Sequence, residues 1–191
     1  MSTYEVSKSS SPLGELEIAA SLRGLARVRY VTWPVRVSKR PVFKQASIYA
    51  EEARVQLQEY FAGKRRIFNV PLDLSLTDRK KPSTLFQQKV WVALLRIPFG
   101  HYRTYGEVAR MVGRPGGAQA VGQAVKQNPI PVIVPCHRVI PTQAVAAGAN
   151  PQDGSLLIGG YNGGIKRKNW LLSHEYRLLT GAPRRIPVVV S

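Results

Sequence analysis

Residues 133–140 read Ile133-Val134-Pro135-Cys136-His137-Arg138-Val139-Ile140 and contain the only cysteine of the 191-residue chain. A thiol is followed at once by an imidazole, apolar β-forming residues flank the pair, and Pro135 stiffens the approach by holding its own φ. Free cysteine is among the most buried residue types, so a core role is the plain alternative. A lone cysteine beside a histidine in an intracellular protein is also a candidate nucleophile.

Working outward from this stretch, residues 117–127 read as a short helix that stops at Asn128-Pro129, and 130–140 form a Pro-punctuated apolar run. Residues 141–160 are rich in Ala, Gly, Asn and Pro and read as a long loop, the kind that is often functional. Gly159-Gly160-Tyr161-Asn162-Gly163-Gly164 follows, where the backbone must turn tightly or approach a ligand closely. The spacing then predicts a last helix over 168–179 containing Trp170, Leu171, Leu172, His174 and Glu175. Further upstream, Ser83 is the expected N-cap of a helix carrying Phe86, Val90, Ala93 and Leu94, and Thr104 that of a helix running through Met111. The helices at 104–111 and 117–127, joined by a Gly-bearing turn, suggest a helix-turn-helix. Ala118, Ala120, Gly122 and Ala124 make its second helix small-sided, suited to close approach to a groove or to tight core packing.

The first half reads as β then α. Short strands are expected at 4–8, 14–20 and 25–30, with turns at Ser11-Pro12-Leu13-Gly14 and Arg23-Gly24. A helix over 43–61 places Ile48, Ala53, Val55, Leu57, Tyr60 and Phe61 toward one face, with Gly63 as its stop, and 67–74 returns as a strand. The basic, Pro-broken Arg79-Lys80-Lys81-Pro82-Ser83 marks the boundary. The expected domains are 1–80 and 81–180, with a basic and apolar tail over 181–191.

The net charge is +17, and it is unevenly placed: residues 1–78 carry +4 and residues 79–191 carry +13. The second half therefore carries the cationic field. A polyanion such as the phosphate backbone of nucleic acid is the natural partner, and a generally basic surface is the alternative. One cysteine excludes an internal disulfide and a multi-thiolate zinc site, and three scattered histidines suggest no other metal cage. No apolar run reaches the ~18 residues needed to span a membrane. The polar first residues lack a secretory signal.

Together these pieces resemble the O6-alkylguanine-DNA alkyltransferase family, also called methylated-DNA–protein-cysteine methyltransferases. The resemblance runs in order through Phe86-Gln87-Gln88-Lys89-Val90-Trp91, Thr104-Tyr105-Gly106-Glu107-Val108-Ala109, Ala120-Val121-Gly122, Asn128-Pro129-Ile130-Pro131, Pro135-Cys136-His137-Arg138-Val139, Tyr161-Asn162-Gly163-Gly164 and Trp170-Leu171-Leu172-Ser173-His174-Glu175. It implies an α/β (α+β) chain: an N-terminal ribonuclease-H-like α/β domain, then a mostly helical, winged helix-turn-helix-like catalytic domain. It implies direct reversal of O6-alkylguanine damage, in which a flipped base gives its alkyl group irreversibly to Cys136. His137 resembles the base that ionises the thiol through a water, and Glu175 the carboxylate that orients it. Tyr105 resembles the phenol that offsets charge on the leaving guanine and turns the target phosphate, and Asn128 the hinge asparagine. The carbonyls of Cys136 and Val139 would accept from the guanine amino group. Tyr161 would pack on the base, backbone amides near Tyr161 and Asn162 would face the alkylated oxygen, and Gly163 would leave room for the alkyl group. Thr104, Gln119, Ala120, Gly122, Lys126 and Arg138 complete the expected DNA-contacting set.

Three features depart from the family pattern, one being the absence of the zinc-binding N-terminal cysteines that some members carry. Gln119 stands where an arginine usually fills the hole left by the flipped base, and the 141–160 loop is longer than usual. The expected partner is double-stranded DNA holding O6-alkylguanine, with no cofactor, no metal and no membrane, acting as a monomer in the cytoplasm or, in a eukaryote, the nucleus. Three other readings use some of the same residues: a Cys-His hydrolase, a non-catalytic reader of alkylated DNA, and a helix-turn-helix transcription regulator.

Overall fold

The computed structural model describes residues 4–32, 43–77, 81–146, 161 and 163–181. The chain divides into two compact units, one formed by residues up to Thr84 together with Gln127–Ile133, the other by Leu85–Lys126 and the residues from Val134 onward.

In the first unit, β1 (Glu5–Ser11), β2 (Gly14–Ser21) and β3 (Gly24–Val31) form an antiparallel meander in the order β1-β2-β3. Helix α1 (Lys44–Phe61) packs on this sheet. Its buried stripe is Ala46, Ala50, Ala53, Leu57 and Tyr60, spaced by alternating fours and threes, as one helical face requires. Three alanines in that stripe let the helix approach Leu16, Ile18 and Ala20 of β2, all fully buried. Ile48 and Val55, expected on the buried face, are 40% exposed instead: they lie seven residues apart on a row beside the alanine stripe. Gly63 stops the helix with φ 75°. Val28 N–H donates to the Pro129 carbonyl at 2.9 Å, which sews the 127–133 segment to β3. Within that segment Val132 has φ 75°, a strained setting for a β-branched residue.

The strand expected at 67–74 is reduced to a single parallel bridge between Leu25 and Leu72. Leu25 N–H donates to the Pro71 carbonyl at 2.7 Å and Asp73 N–H to the Leu25 carbonyl at 2.8 Å. Pro71 has no N–H to continue the ladder. The next helix starts at Leu85, two residues past the expected cap Ser83, whose hydroxyl donates to the Leu74 carbonyl at 2.6 Å and whose N–H donates to the Ser75 carbonyl.

The second unit opens with α2 (Leu85–Leu94), which buries Val90, Trp91, Ala93 and Leu94. Trp91 Nε1 donates to the Ala124 carbonyl at 2.9 Å. Then come β4 (Arg103–Thr104), α3 (Tyr105–Met111) and α4 (Ala118–Lys126), with α3 packed on both α2 and α4. Helix α4 buries Val121, Ala124 and Val125, so part of its small-residue side is core. A 3-10 turn, Cys136–Arg138, leads into β5 (Val139–Ile140), which pairs in parallel with β4. Thr142–Ala146 forms α5 where a loop was expected. The rest of that stretch, 147–160, lies outside the described residues. Helix α6 (Ile165–Thr180) starts three residues earlier than expected and ends at Gly181, which has φ 70°; the tail beyond Gly181 lies outside the described residues. No helix among the described residues is long and apolar enough to cross a membrane. The expected mixed architecture, an N-terminal sheet layer followed by a helical unit with a helix-turn-helix, is met.

Gly24 makes the fold's tightest demand. It has φ +145°, and an added Cβ would lie 2.5 Å from the Pro71 carbonyl oxygen. Gly24→Ala is expected to cost about 3 kcal/mol of stability, read as a lower midpoint in urea; a change within about 0.5 kcal/mol, the range of an unconstrained surface site, would refute this constraint.

Candidate active site

The parallel pairing of β4 with β5 sets the site's frame. Arg103 lies opposite Val139 and Thr104 opposite Ile140. The first residue of α3, Tyr105, is thereby brought beside the turn that begins with Cys136. A capping box fixes where α3 starts: Thr104 Oγ1 accepts from Glu107 N–H at 3.2 Å, while Glu107 Oε2 accepts from Thr104 N–H at 2.6 Å. This satisfies two orphan donors of the helix start. Behind the turn, Ile140, Ala144, Leu172 and Tyr102 form a small apolar cluster.

Cys136 is 2% exposed and not disulfide-bonded. His137 and Glu175 are both fully buried, and His137 Nε2 lies 2.8 Å from Glu175 Oε1. Arg138 donates to the same carboxylate twice, from Nε to Oε2 and from Nη2 to Oε1, each at 2.9 Å, and from Nη1 to the Ile97 carbonyl at 2.7 Å. Gly100 N–H adds a fourth donor at 3.0 Å. Burial opposes the charge of Glu175, but His137 and then Arg138 outweigh it and hold the carboxyl below the ordinary carboxylate range. Glu175 is therefore ionised at neutral pH and can only accept hydrogen bonds. Nε2 of His137 must then carry a proton. Burial, reinforced by the Arg138 and Lys168 charges and opposed by Glu175, pushes His137 below its usual range, so at neutral pH the ring is neutral. Its second nitrogen, Nδ1, is the acceptor. That atom is buried and has no hydrogen-bond partner among the described residues. The turn thus holds a thiol next in sequence to a neutral imidazole whose basic nitrogen is free to take a proton.

Tyr105 is half-buried, and its phenol is raised above its ordinary range by burial and then by the Cys136 charge. It stays protonated and can donate. Tyr161 and Gly163 lie just ahead of α6, both half-buried. Gly164 N–H donates to the Tyr161 carbonyl at 2.9 Å, and Gly163 supplies a carbonyl to Arg167 Nη1 at 2.8 Å. Asn162 lies outside the described residues. On α4, Gln119 and Lys126 are exposed, and Ala120 and Gly122 are partly covered. The side of Gly122 faces Tyr105: a Cβ there would lie 3.8 Å from the ring. Asn128 is 1% exposed, and its Oδ1 accepts from Ile130 N–H at 3.0 Å. It belongs to the first unit.

Arg138 is a correction. It was expected to contact DNA, but it is 6% exposed and its guanidinium is spent on Glu175 and Ile97. Two further residues escaped the sequence. Gly100 (φ +76°) brings its N–H to Glu175, and a Cβ there would meet Leu179 at 2.8 Å. Lys168 is fully buried, with Nζ 2.6 Å from the Val139 carbonyl. A signal for Lys168 was present: Lys168, Leu171, Leu172 and Glu175 follow the i, i+3, i+4, i+7 spacing of a buried helical stripe. Among the described residues no group of three His, Cys, Asp or Glu side chains could hold a metal ion.

Glu175→Gln leaves Arg138 buried without a counter-charge and is expected to lower stability by roughly 3–5 kcal/mol, with wild-type stability in the variant as the refuting result. His137 also imposes a pH dependence. Its folded pKa is depressed, so its contribution is complete above the unfolded value of about 6.5 and is lost as pH falls toward the folded value. The slope of stability against pH between 7 and 5 should be shallower in His137→Gln than in wild type; identical slopes would show that His137 does not titrate as a buried neutral ring.

Two family models cover most of the chain: the 6-O-methylguanine DNA methyltransferase ribonuclease-like domain over residues 3–74 and the DNA binding domain of the same family over 85–177. The chain is 43% identical to the methylated-DNA–protein-cysteine methyltransferase of Mycobacterium leprae over 171 residues, 89% of this chain and 92% of that one. It is similar to the crystal structure of the Mycobacterium tuberculosis O6-methylguanine methyltransferase, with a TM-score of 0.71, 37% identity and coverage of 95% and 96% of the two chains. A second M. tuberculosis structure, solved in complex with DNA, matches with a TM-score of 0.69 and 40% identity over 90% of this chain and 92% of that one. With its cysteine turn, helix-turn-helix and N-terminal sheet all within these matches, the chain belongs to the 6-O-methylguanine DNA methyltransferase family.

Proposed function

We propose that this protein repairs DNA by direct reversal, taking the alkyl group of O6-alkylguanine onto Cys136. The observation that carries this reading is the buried thiol beside a neutral imidazole whose other nitrogen is held by an ionised carboxylate. A neutral thiol is a poor nucleophile and must first lose its proton. His137 Nδ1 takes that proton, directly or through a water, and Glu175 stabilises the imidazolium so formed. Glu175 already accepts four hydrogen bonds, so the proton rests on His137. The sulfur attacks the alkyl carbon, the S–C bond forms as the C–O6 bond breaks, and the electron pair passes to the guanine. Tyr105 donates toward a ring nitrogen and offsets the charge that develops there. The product is a thioether, a poor leaving group, and the chain has no second cysteine to restore the first. Each molecule therefore acts once.

The remaining roles rest on the same family reading. DNA is engaged by the helix-turn-helix, with Gln119 taking the place of the flipped base and Thr104, Ala120, Gly122 and Lys126 near the backbone. Asn128 acts as the hinge, and the carbonyls of Cys136 and Val139 with Tyr161, Asn162 and Gly163 line the base pocket. The division near residue 80 separates a structural part from the alkyl-accepting part. The protein works as a monomer in the cytoplasm, without a cofactor. The exposed cations Lys89, Arg96, Arg103, Arg110, Arg114 and Lys126 favour DNA over the small substrate of a Cys-His hydrolase.

Mixing the protein with a duplex holding one O6-methylguanine should add one methyl per chain, mapped to Cys136, and then stop. Cys136→Ala should abolish transfer and keep DNA binding; transfer by the variant, or tight lesion binding by wild type with no mass change, would overturn the reading. Tyr105→Phe should lower the single-turnover rate without abolishing it, and an unchanged rate would remove Tyr105 as the donor. DNA affinity should fall steeply with added salt, as phosphate neutralisation requires.

A further inference from the structure

Helix α2 spends Val90, Trp91 and Leu94 on the core, yet its outward side is also apolar. Leu85, Gln88, Lys89, Val92 and, just past the helix end, Arg96 share one face, with the i, i+3, i+4, i+7, i+11 spacing that a helical stripe requires. Leu85 is 78% exposed, Val92 44% and Met111, at the end of α3, 40%. These three border a groove of about 410 Å³ that also reaches Ala93 and Val112. Its charged lining residues are Lys89 and Arg96. Both are exposed, and neither forms an ion pair among the described residues. Glu107 is the only acid between residues 85 and 126, and its carboxylate is taken up by the N–H and hydroxyl of Thr104. Helix α4, which Trp91 meets on the core side of α2, does not line the groove.

We infer that this groove is a docking site for a short acidic segment of a partner protein. The segment seats a bulky apolar side chain on Leu85, Val92 and Met111 and sets carboxylates on Lys89 and Arg96. Charge selects the occupant, because the rim is wholly cationic. Lys89 and Arg96 are seven residues apart, and Val92 lies between them, one turn from each. The matching segment therefore carries an apolar anchor flanked by acids, read as anchors in a groove are read. Leu85 and Arg96 are about 16 Å apart along the helix axis. That length takes three turns of helix or about five extended residues, less than the ~800 Å² per partner that two folded domains bury. Nucleic acid fits the rim but not the floor: phosphates pair with Lys and Arg and leave the apolar side chains nothing to bury against. A second copy of this chain fits less well. Its own exposed apolar row, Ile48 and Val55 on α1, is bordered by Glu51 and Glu52 but also by Lys44 and Arg65, and Glu51 is already paired with Arg54. At a net charge of +17 two copies repel each other. The inference is independent of the chemistry at Cys136.

The probe is a fluorescein-labelled peptide, Asp-Glu-Leu-Phe-Asp-Glu, titrated into the full chain. Anisotropy gives the affinity, and the methyl NMR signals of Leu85, Val92 and Met111 give the place. The peptide should bind with a Kd below about 100 μM and move those methyls. Changing its Leu-Phe to Ser-Ser, or combining Val92→Ser with Met111→Ser in the protein, should weaken binding at least about tenfold, the contribution of one buried aliphatic side chain. Changing its acids to Asn and Gln, or combining Lys89→Glu with Arg96→Glu, should weaken it as much. The serine double variant should keep the wild-type rate of methyl transfer to Cys136, which separates docking from repair. Absence of binding below about 100 μM, or equal binding of the Ser-Ser peptide, overturns the inference. Should the protein variants not fold, the peptide substitutions decide alone. Two other results also overturn it. Methyl shifts produced by lesion-free duplex DNA would make the groove a nucleic-acid seat. Self-association of the wild type that the serine variant loses would make it a contact between copies.

Discussion

The second unit depends on one buried carboxylate. Glu175 is shielded from water, and a charge in that position is tolerated only when its oxygens are filled by donors of fitting geometry. Gly100, His137 and Arg138 supply four hydrogen bonds, and Arg138 continues to the Ile97 carbonyl. The carboxylate thereby joins the turn after α2, the cysteine turn and α6. One group orients the imidazole, neutralises a buried guanidinium and fixes a backbone turn. The order of protonation follows from the same contacts: a carboxylate so well supplied stays ionised, its imidazole partner keeps Nε2 protonated, and Nδ1 remains the base.

Cations serve this chain in two separate ways. Those on α2, α3 and α4 and the turns that follow α2 and α3, including Lys89, Arg96, Arg110, Arg114 and Lys126, are exposed. They contribute a long-range field that salt screens. Arg138 and Lys168 face inward and act at hydrogen-bond distance where screening is weak. The net charge of the second half mixes both kinds. Only burial separates a residue that attracts a polyanion from one that fills a buried carboxylate or carbonyl.

Burying these charges costs stability. Lys168 near 8 rather than its usual value implies a cost on the order of 3 kcal/mol at neutral pH, a cost relieved as pH rises through 8 toward the unfolded value. The hydrogen bond to the buried Val139 carbonyl offsets part of that cost.

The sequence by itself determined the elements and the chemistry. Short runs between turn signals placed β1 to β3, Thr104 marked the start of α3, and Pro-Cys-His-Arg marked the nucleophile pair, because caps, turns and such pairs are local patterns of residue type; the part of Glu175 came from the family resemblance. It misjudged the outward rows of α1 at Ile48 and Val55, the strand at 67–74 that Pro71 interrupts, and the cap at Ser83. Each of those depends on what the neighbouring element offers. Only the tertiary structure decided that Arg138 turns inward to Glu175, that Gly100 supplies a donor, and that Lys168 reaches Val139. Those partners lie 29 to 75 positions apart in the chain, and whether a basic side chain meets solvent or a buried carbonyl is set by packing at that distance, which no local pattern encodes.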